Sequence, residues 1–377
     1  MDTQTCDDVT YMRRALQLAA QAYGQTAPNP LVGAVVVRST RIVGEGVHWR
    51  AGEPHAEPLA LGAAGAMNAG AETKTARDLT LYVNLEPCCH QGRTPPCVDA
   101  IIGSRVGRVV AAMVDPDARV AGAGVKRMRA AGLRVDTGCL QPEAEELNHV
   151  FVARQRRRRA FVALKVALSA DGCIAAADGT PVRITGAAAE RHAHRLRAGH
   201  DGVLIGVETL VRDRPRLDCR RYDGPGTPPR RIVLDPQLRS PEEALWDGPP
   251  ALVVCDAEVA RRRPERLRAL ERRAEIVTLV RGAQGLDLGA LLKALELRQV
   301  WSVLVEGGGR THATFLAAGL WDRVYVYRNP SLRLNGSTWS AASAWQRLRT
   351  QACARAMQSY DGDTLQMYVH RDSILEA

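Results

Sequence analysis

Aromatic side chains make up only 5% of this 377-residue chain, with three phenylalanines. Proteins that edit or bind flipped and single-stranded bases stack them on aromatic platforms, so this scarcity argues against a nucleic-acid partner. Long apolar runs are also missing, and nothing approaches the roughly 20 residues of a membrane-spanning helix. The opening Met1-Asp2-Thr3-Gln4 has no signal-peptide character, and a cytoplasmic enzyme is the expectation. Nine cysteines, an odd number scattered through a long chain, do not make a disulfide framework. Cys6, Cys139, Cys173, Cys219, Cys255 and Cys353 read as isolated thiols.

The chain does have length and positive charge. A length of 377 residues is about twice a common domain size, which predicts two domains, and a hydrophobic content of 46% supplies a core for each. The formal charge of +10 comes mostly from arginine and favours phosphorylated partners in general. The run Arg156-Arg157-Arg158-Arg159 lacks interleaved aromatics and reads as a solvated connector, not a nucleic-acid footprint.

Chemistry concentrates in Pro54-His55-Ala56-Glu57 and in the stretch from Pro87-Cys88-Cys89-His90 to Thr94-Pro95-Pro96-Cys97. One imidazole and two thiolates give a zinc ion three protein ligands and leave a fourth position open to water, as in catalytic sites. A structural site would need a fourth ligand from Cys89 or His90, both too near Cys88 to close a good tetrahedron. Glu57 is too close to His55 to be a comfortable ligand and is well placed to move protons between water and a substrate nitrogen. The His-x-Glu half matches the signature of zinc nucleobase deaminases. The Pro-Cys-x-x-Cys half does not, because eight residues separate Cys88 from Cys97.

A Pro-Cys, a long insert and a second Cys resemble the bifunctional deaminase/reductase of riboflavin biosynthesis, and the resemblance covers almost the whole chain. It implies a cytidine-deaminase-like three-layer α/β/α domain at residues 1–150, with zinc on His55, Cys88 and Cys97 and with Glu57 as the catalytic proton carrier. Cys89 falls where the family is variable, whereas Cys88 follows the proline and is assigned as the ligand. Pro28-Asn29-Pro30-Leu31-Val32-Gly33 and the following valines are similar to the family's pocket mouth, which places Asn29 on the pyrimidine and His48 nearby. The residues alone equally fit an Asx turn and a structural histidine. On the insert loop, His90, Arg93 and Thr94 would meet a ribose or phosphate. Asp115 to Gly124 resembles a further family motif, with departures at Asp117 and Ala118.

The hydrophobic pattern predicts a helix over 11–23, strands over 34–37 and 42–48, and an alanine-rich helix from His55 to about residue 69. His55 and Glu57 then lie at a helix start, whose positive end favours a carboxylate. A strand over 79–85 delivers Cys88, and Cys97 falls in the first turn of a helix after Pro95-Pro96. A strand over 106–114, a helix over 124–131 and a strand over 133–137 complete the alternating units.

A basic linker is expected at 151–160, and a second domain at 161–377. Phe161 to Leu168 reads as an apolar strand carrying one lysine, before the turn Ser169-Ala170-Asp171-Gly172. This is similar to the start of the family's reductase domain, which has a dihydrofolate-reductase-like α/β fold, and the match continues through Ile184-Thr185-Gly186, His194 to Ala198 and on to Leu217. Carried over residue by residue, it puts Arg197, Leu217, Arg220 and Glu306 at the substrate, where two guanidinium forks suit a phosphate. It puts Ala167, Thr209, Asp213, Gly308 and Gly309 at NADPH. Glu306-Gly307-Gly308-Gly309 follows the strand 300–305 and precedes a helix near Thr311, a setting for pyrophosphate. The motif is not a full G-x-G-x-x-G and equally fits a plain glycine turn.

The second half also departs from the family. Pro181-Val182-Arg183-Ile184-Thr185 stands where Ser-x-Trp-Ile-Thr is usual, Arg214 replaces an aspartate, Glu208 replaces a small residue, and 332–377 matches poorly. Three outcomes compete: reduction with altered contacts, Arg183 facing the 2′-phosphate of NADPH; a reductase half kept as a scaffold; or a paralogue serving a related pyrimidine pathway. The main expectation is zinc-dependent deamination of a phosphorylated diaminopyrimidine followed by NADPH reduction of its ribosyl group. The partner is a small molecule, with neither nucleic acid nor membrane, and the protein is a homo-oligomer, dimer or tetramer.

Overall fold

The computed structural model describes residues 6–67, 77–92, 94–117, 120–180, 182–246, 249–282, 285–339, 346, 348, 350–355 and 357–374. They form two compact units, one reaching to Arg156 and the other spanning Arg157–Ile374.

In the first unit, β1 (Gly33–Arg38), β2 (Arg41–Val47), β3 (Leu79–Val83), β4 (Val106–Ala111) and β5 (Arg134–Thr137) form a sheet in the order β2-β1-β3-β4-β5. The β1 strand runs antiparallel to both neighbours, while β3, β4 and β5 are parallel. Gly33 to Val37 are all buried, the continuous apolar run of a strand covered on both faces. Helix α1 (Cys6–Ala20) packs on one face and α2 (Ala56–Ala63) on the other, so close that a Cβ on Gly33 would overlap the Ala15 carbonyl and one on Gly46 the Ala56 carbonyl. Beside α2 lie α3 (Cys97–Ile102) and then α4 (Ala123–Ala130), and α5 (Gln141–Leu147) joins α1. The result is the expected three-layer α/β/α domain. Two boundaries differ from expectation. Helix α1 begins at Cys6, where Asp7 and Asp8 suit the positive end of a helix. Helix α2 stops at Ala63, just before Gly65 turns left-handed at φ 62°, and the expected continuation past residue 67 lies outside the described residues.

The expected solvated connector is instead structured. Helix α6 (His149–Arg157) runs through it, and Arg157 and Arg159 turn inward onto Asp322, with Arg159 Nη1 2.7 Å from Oδ2. Asp322 is buried, and a buried carboxylate requires paired cations, which is why these two arginines are not solvated.

The second unit is built on a ten-stranded sheet. The strand Phe161–Leu168 lies between Ser302–Val305 and Arg323–Arg328, parallel to both. Beyond Ser302–Val305 come Gly202–Gly206, Arg230–Leu234, Ala251–Asp256 and Ala274–Leu279, all parallel. On the other side Asp363–His370 pairs antiparallel with Arg323–Arg328. Val305 sits in register with Leu164 and Leu204, so Glu306, Lys165 and Ile205 come together just beyond, toward the carboxyl edge. In open parallel sheets that edge is where ligands bind.

Candidate active sites

Three elements converge on the first site. His55 is the N-cap of α2, Glu57 lies in that helix's first turn, Cys88 follows the loop after β3, and Cys97 opens α3 behind Pro96. His55 Nδ1 stands 3.1 Å from Cys97 Sγ and 3.6 Å from Cys88 Sγ. The three ligand atoms lie within 4.8 Å of one another, with one imidazole and two thiolates as the donor set for zinc. A hydrogen bond from Cys97 holds the Cys88 thiol at about 4, with His55 assisting, while the same bond drives Cys97 upward. The two sulfurs keep one proton between them, where a cation fits. The bond to Cys88 also raises His55.

Glu57 is 3% exposed, and its Oε2 has no hydrogen-bond partner among the described residues. Burial, helped by the Cys88 charge, pushes this carboxyl up to about 7. A buried, unsatisfied carboxylate is costly unless a ligand or reacting proton completes it.

The surrounding groups orient the site. Thr94 Oγ1 lies 3.2 Å from His55 Nε2, so with Nδ1 toward the sulfurs the Nε2–H donates to threonine and fixes the ring. His48 Nδ1 lies 3.1 Å from the Pro54 carbonyl and must donate to it, which makes Nε2 an acceptor for the Asn29 amide at 3.0 Å. Burial lowers His48 and keeps it neutral. Its ring meets His55 edge-on, with centroids 5.0 Å apart, so Asn29 and His48 belong to the same pocket. His90 stays exposed on the loop, and Arg93 lies outside the described residues. Glu86 was not singled out by the sequence. Its buried carboxylate accepts from Asp115, Gly122 and Val125 backbone N–H groups, tying the loop that carries Cys88 to the Asp115–Gly124 motif.

The second site is a cleft of about 1610 Å³ at the carboxyl edge of the second unit's sheet. Ala167, Arg197, Thr209, Asp213, Leu217 and Arg220 line it, as do Glu306, Gly308 and Gly309, so every residue expected in this half faces one space. A small-ligand pocket is about 300–1,000 Å³, so there is room for two ligands. A Cβ on Gly307 would stand 2.6 Å from Gly206 N, and Gly308 N–H donates to Thr209 Oγ1 at 3.2 Å; the loop's exposed backbone forms a cradle that fits a dinucleotide phosphate.

Arg197 is placed differently from its expected phosphate role. Nε and Nη2 grip Glu306 at 2.5 and 2.9 Å, and Nη1 donates to the Asp218 carbonyl. Its fork therefore positions a carboxylate. Burial would raise Glu306, but the charge and hydrogen bonds of Arg197 outweigh it and hold the carboxyl at about 2. Arg220 is more exposed and paired with Asp218. Arg183 is bonded to Glu190 at 2.6 Å, and Pro181 lies outside the described residues. The lone strand lysine is the residue that sequence reasoning passed over. Lys165 Nζ reaches 3.8 Å from Glu306, and burial lowers its pKa. Its signal was a single charge inside an apolar strand. Trp339, also missed, closes the cleft wall by donating Nε1–H to His312 Nδ1 at 3.1 Å.

Residues 5–113 match the family model of the cytidine and deoxycytidylate deaminase zinc-binding region, and residues 160–333 match the RibD C-terminal domain. These matches define the class, a zinc-dependent deaminase joined to a reductase. The chain is 41% identical to the riboflavin biosynthesis protein RibD of Aquifex aeolicus (strain VF5) over 332 residues, 87% of this chain and 88% of that protein. Acinetobacter baumannii RibD superposes with a TM-score of 0.79 at 31% identity, covering 97% of this chain and 99% of that one. The Thermotoga maritima diaminohydroxyphosphoribosylaminopyrimidine deaminase/5-amino-6-(5-phosphoribosylamino)uracil reductase gives the same TM-score, identity and coverage. This chain belongs to the riboflavin biosynthesis protein RibD family, and is a bifunctional enzyme with a zinc deaminase domain and a reductase domain.

Proposed function

We propose that the first unit deaminates 2,5-diamino-6-ribosylamino-4(3H)-pyrimidinone 5′-phosphate, and that the second reduces the ribosyl group of the product to ribityl with NADPH. The observation that carries the first half is the buried Glu57 carboxylate beside the His55–Cys88–Cys97 cluster, with one oxygen unpartnered. Bound zinc supplies Lewis acidity, which makes a water nucleophilic near neutral pH. Glu57 takes the water's proton and hands it to the ring nitrogen and then to the departing amine, so ammonia leaves neutral. Asn29, its amide oriented by His48, accepts or donates at the pyrimidine edge, and Thr94 holds the His55 ring. His90 closes over the ribose phosphate from the exposed loop.

In the second unit, bound NADPH supplies a hydride to the ribosyl carbon. Lys165, with its pKa lowered by burial, gives the balancing proton to the ring oxygen as the sugar opens. Glu306 holds that ammonium and is itself held by Arg197, while Arg220 meets the phosphate from the more exposed side. Asp213 accepts from a ribose hydroxyl and the glycine loop receives the pyrophosphate. The full-length similarity supports this reading over a scaffold or a specialised paralogue. Free thiols at the described cysteines suit a cytoplasmic setting, and no described helix is long and apolar enough to cross a membrane.

The test is to incubate the purified chain with the diaminopyrimidine phosphate and NADPH and follow ammonia and nicotinamide absorbance together. Equimolar ammonia release and NADPH oxidation are expected. Ammonia without oxidation would reject the reductase half, and neither would reject both.

A further inference from the structure

Arginines crowd the cleft of the second unit, and nearly all of them are already paired. Arg183 and Arg221 lie against Glu190, and Arg216 and Arg220 against Asp218. Arg197 holds Glu306, Arg239 holds Glu208 at 2.8 Å, and Arg281 faces Asp256 at 3.7 Å. Among the described residues, the cleft arginines left without an ion-pair partner are Arg212 and Arg310.

The backbone brings these two to one rim. Arg212 lies one turn beyond Glu208 on the helix Val207–Asp213, and Arg310 is the second residue of the helix Gly309–Ala317. The two helix starts are side by side: Gly308 N–H bonds Thr209 Oγ1, and a Cβ on Gly206 would stand 2.7 Å from Thr311 Oγ1. Arg239, Arg212 and Arg310 all act on the Glu208 carboxylate and keep it ionised. Three guanidinium groups thus surround a carboxylate that Arg239 already occupies, with Asp213 adjoining. Selecting a plain ribose 2′-hydroxyl calls for a free carboxylate acceptor, whereas unpaired guanidinium forks suit a phosphate monoester.

We propose that Arg212 and Arg310 form the subsite for the adenosine 2′-phosphate of NADPH, bordered by the Glu208–Arg239 pair, so that this cleft selects NADPH over NADH. The proposal rests on reading the cleft as a dinucleotide site. It displaces Arg183, which sequence alone offered for this role and which Glu190 occupies.

Dissociation constants of the full chain for NADPH, NADH and 2′,5′-ADP, measured by calorimetry, test it. The wild type should hold NADPH at least about tenfold tighter than NADH, since each lost charge-assisted contact is worth roughly 1.5–3 kcal/mol. In the Arg212→Ala/Arg310→Ala variant that ratio should fall to about one, with NADH within about twofold of wild type and 2′,5′-ADP binding lost. Arg212→Lys/Arg310→Lys should recover part of the preference, and Glu208→Gln should tighten NADPH severalfold without changing NADH. Equal loss of NADH and NADPH would assign the pair to the pyrophosphate and overturn the proposal, as would a preference that survives the double substitution. Failure of the wild type to bind either dinucleotide would instead overturn the underlying reading of the cleft. Both arginines are exposed, so an unchanged melting temperature is expected and separates these outcomes from unfolding.

Discussion

Cys88 and Cys89 are chain neighbours with different surroundings. Cys88 meets His55 and Cys97, while Cys89 packs against the first unit's apolar core, where burial pushes its thiol up. Cys88→Ala should lose the zinc, and Cys89→Ala should keep about one zinc per chain, as metal analysis of the purified variants will tell. Loss of metal from both would put the ligand assignment in doubt. In the other unit, Glu306 is held at about 2, below its ordinary 4.5, so its contribution to stability is full above pH 4.5 and disappears as pH falls toward 2. Arg197→Met leaves this carboxylate buried without its main partner, and a destabilisation of about 3–5 kcal/mol is expected near neutral pH, easing as acid protonates Glu306. Calorimetric melting of both proteins across that pH range checks it, and coincident melting curves would refute it. His55, Glu57, Cys88 and Cys97 were legible because zinc chemistry restricts residue type and spacing. Thr94 on His55 Nε2 and Arg197 on Glu306 were not, because which atom faces which is decided by tertiary packing that no local pattern encodes.

At the scale of elements, α2 carries both His55 and Glu57, so the site is only as firm as the docking of that helix. The docking depends on Gly44 and Gly46 of β2, where a Cβ would overlap the carbonyls of Ala60 and Ala56. Gly46→Ala should therefore cost about 1–3 kcal/mol and loosen zinc retention. Gly62, on the same helix, faces open space, and Gly62→Ala should stabilise by about 0.5–1 kcal/mol. Thermal melts with a zinc-release assay distinguish the pair, and equal behaviour of the two variants would count against docking as the cause. Buried strands such as β1 and Phe161–Leu168 were readable as apolar runs. The stop of α2 at Ala63 and the helix through His149–Arg157 were not. The first turns on a left-handed Gly65, and the second on the distant Asp322, which draws in arginines that look solvent-bound in sequence.

For the whole molecule, two chemistries sit in two separately folded units. Each unit has its own sheet and core, so damage to one site should leave the other working. Glu57→Gln is the sharpest probe, because it keeps the size of the buried side chain and removes only its ability to carry a proton. The full-length variant should be assayed for ammonia release from the diaminopyrimidine phosphate, for zinc content, and for NADPH oxidation with the already deaminated compound. Ammonia release should fall by about 10²–10⁴-fold with zinc and NADPH oxidation retained, whereas release at the wild-type rate would contradict the role assigned to Glu57.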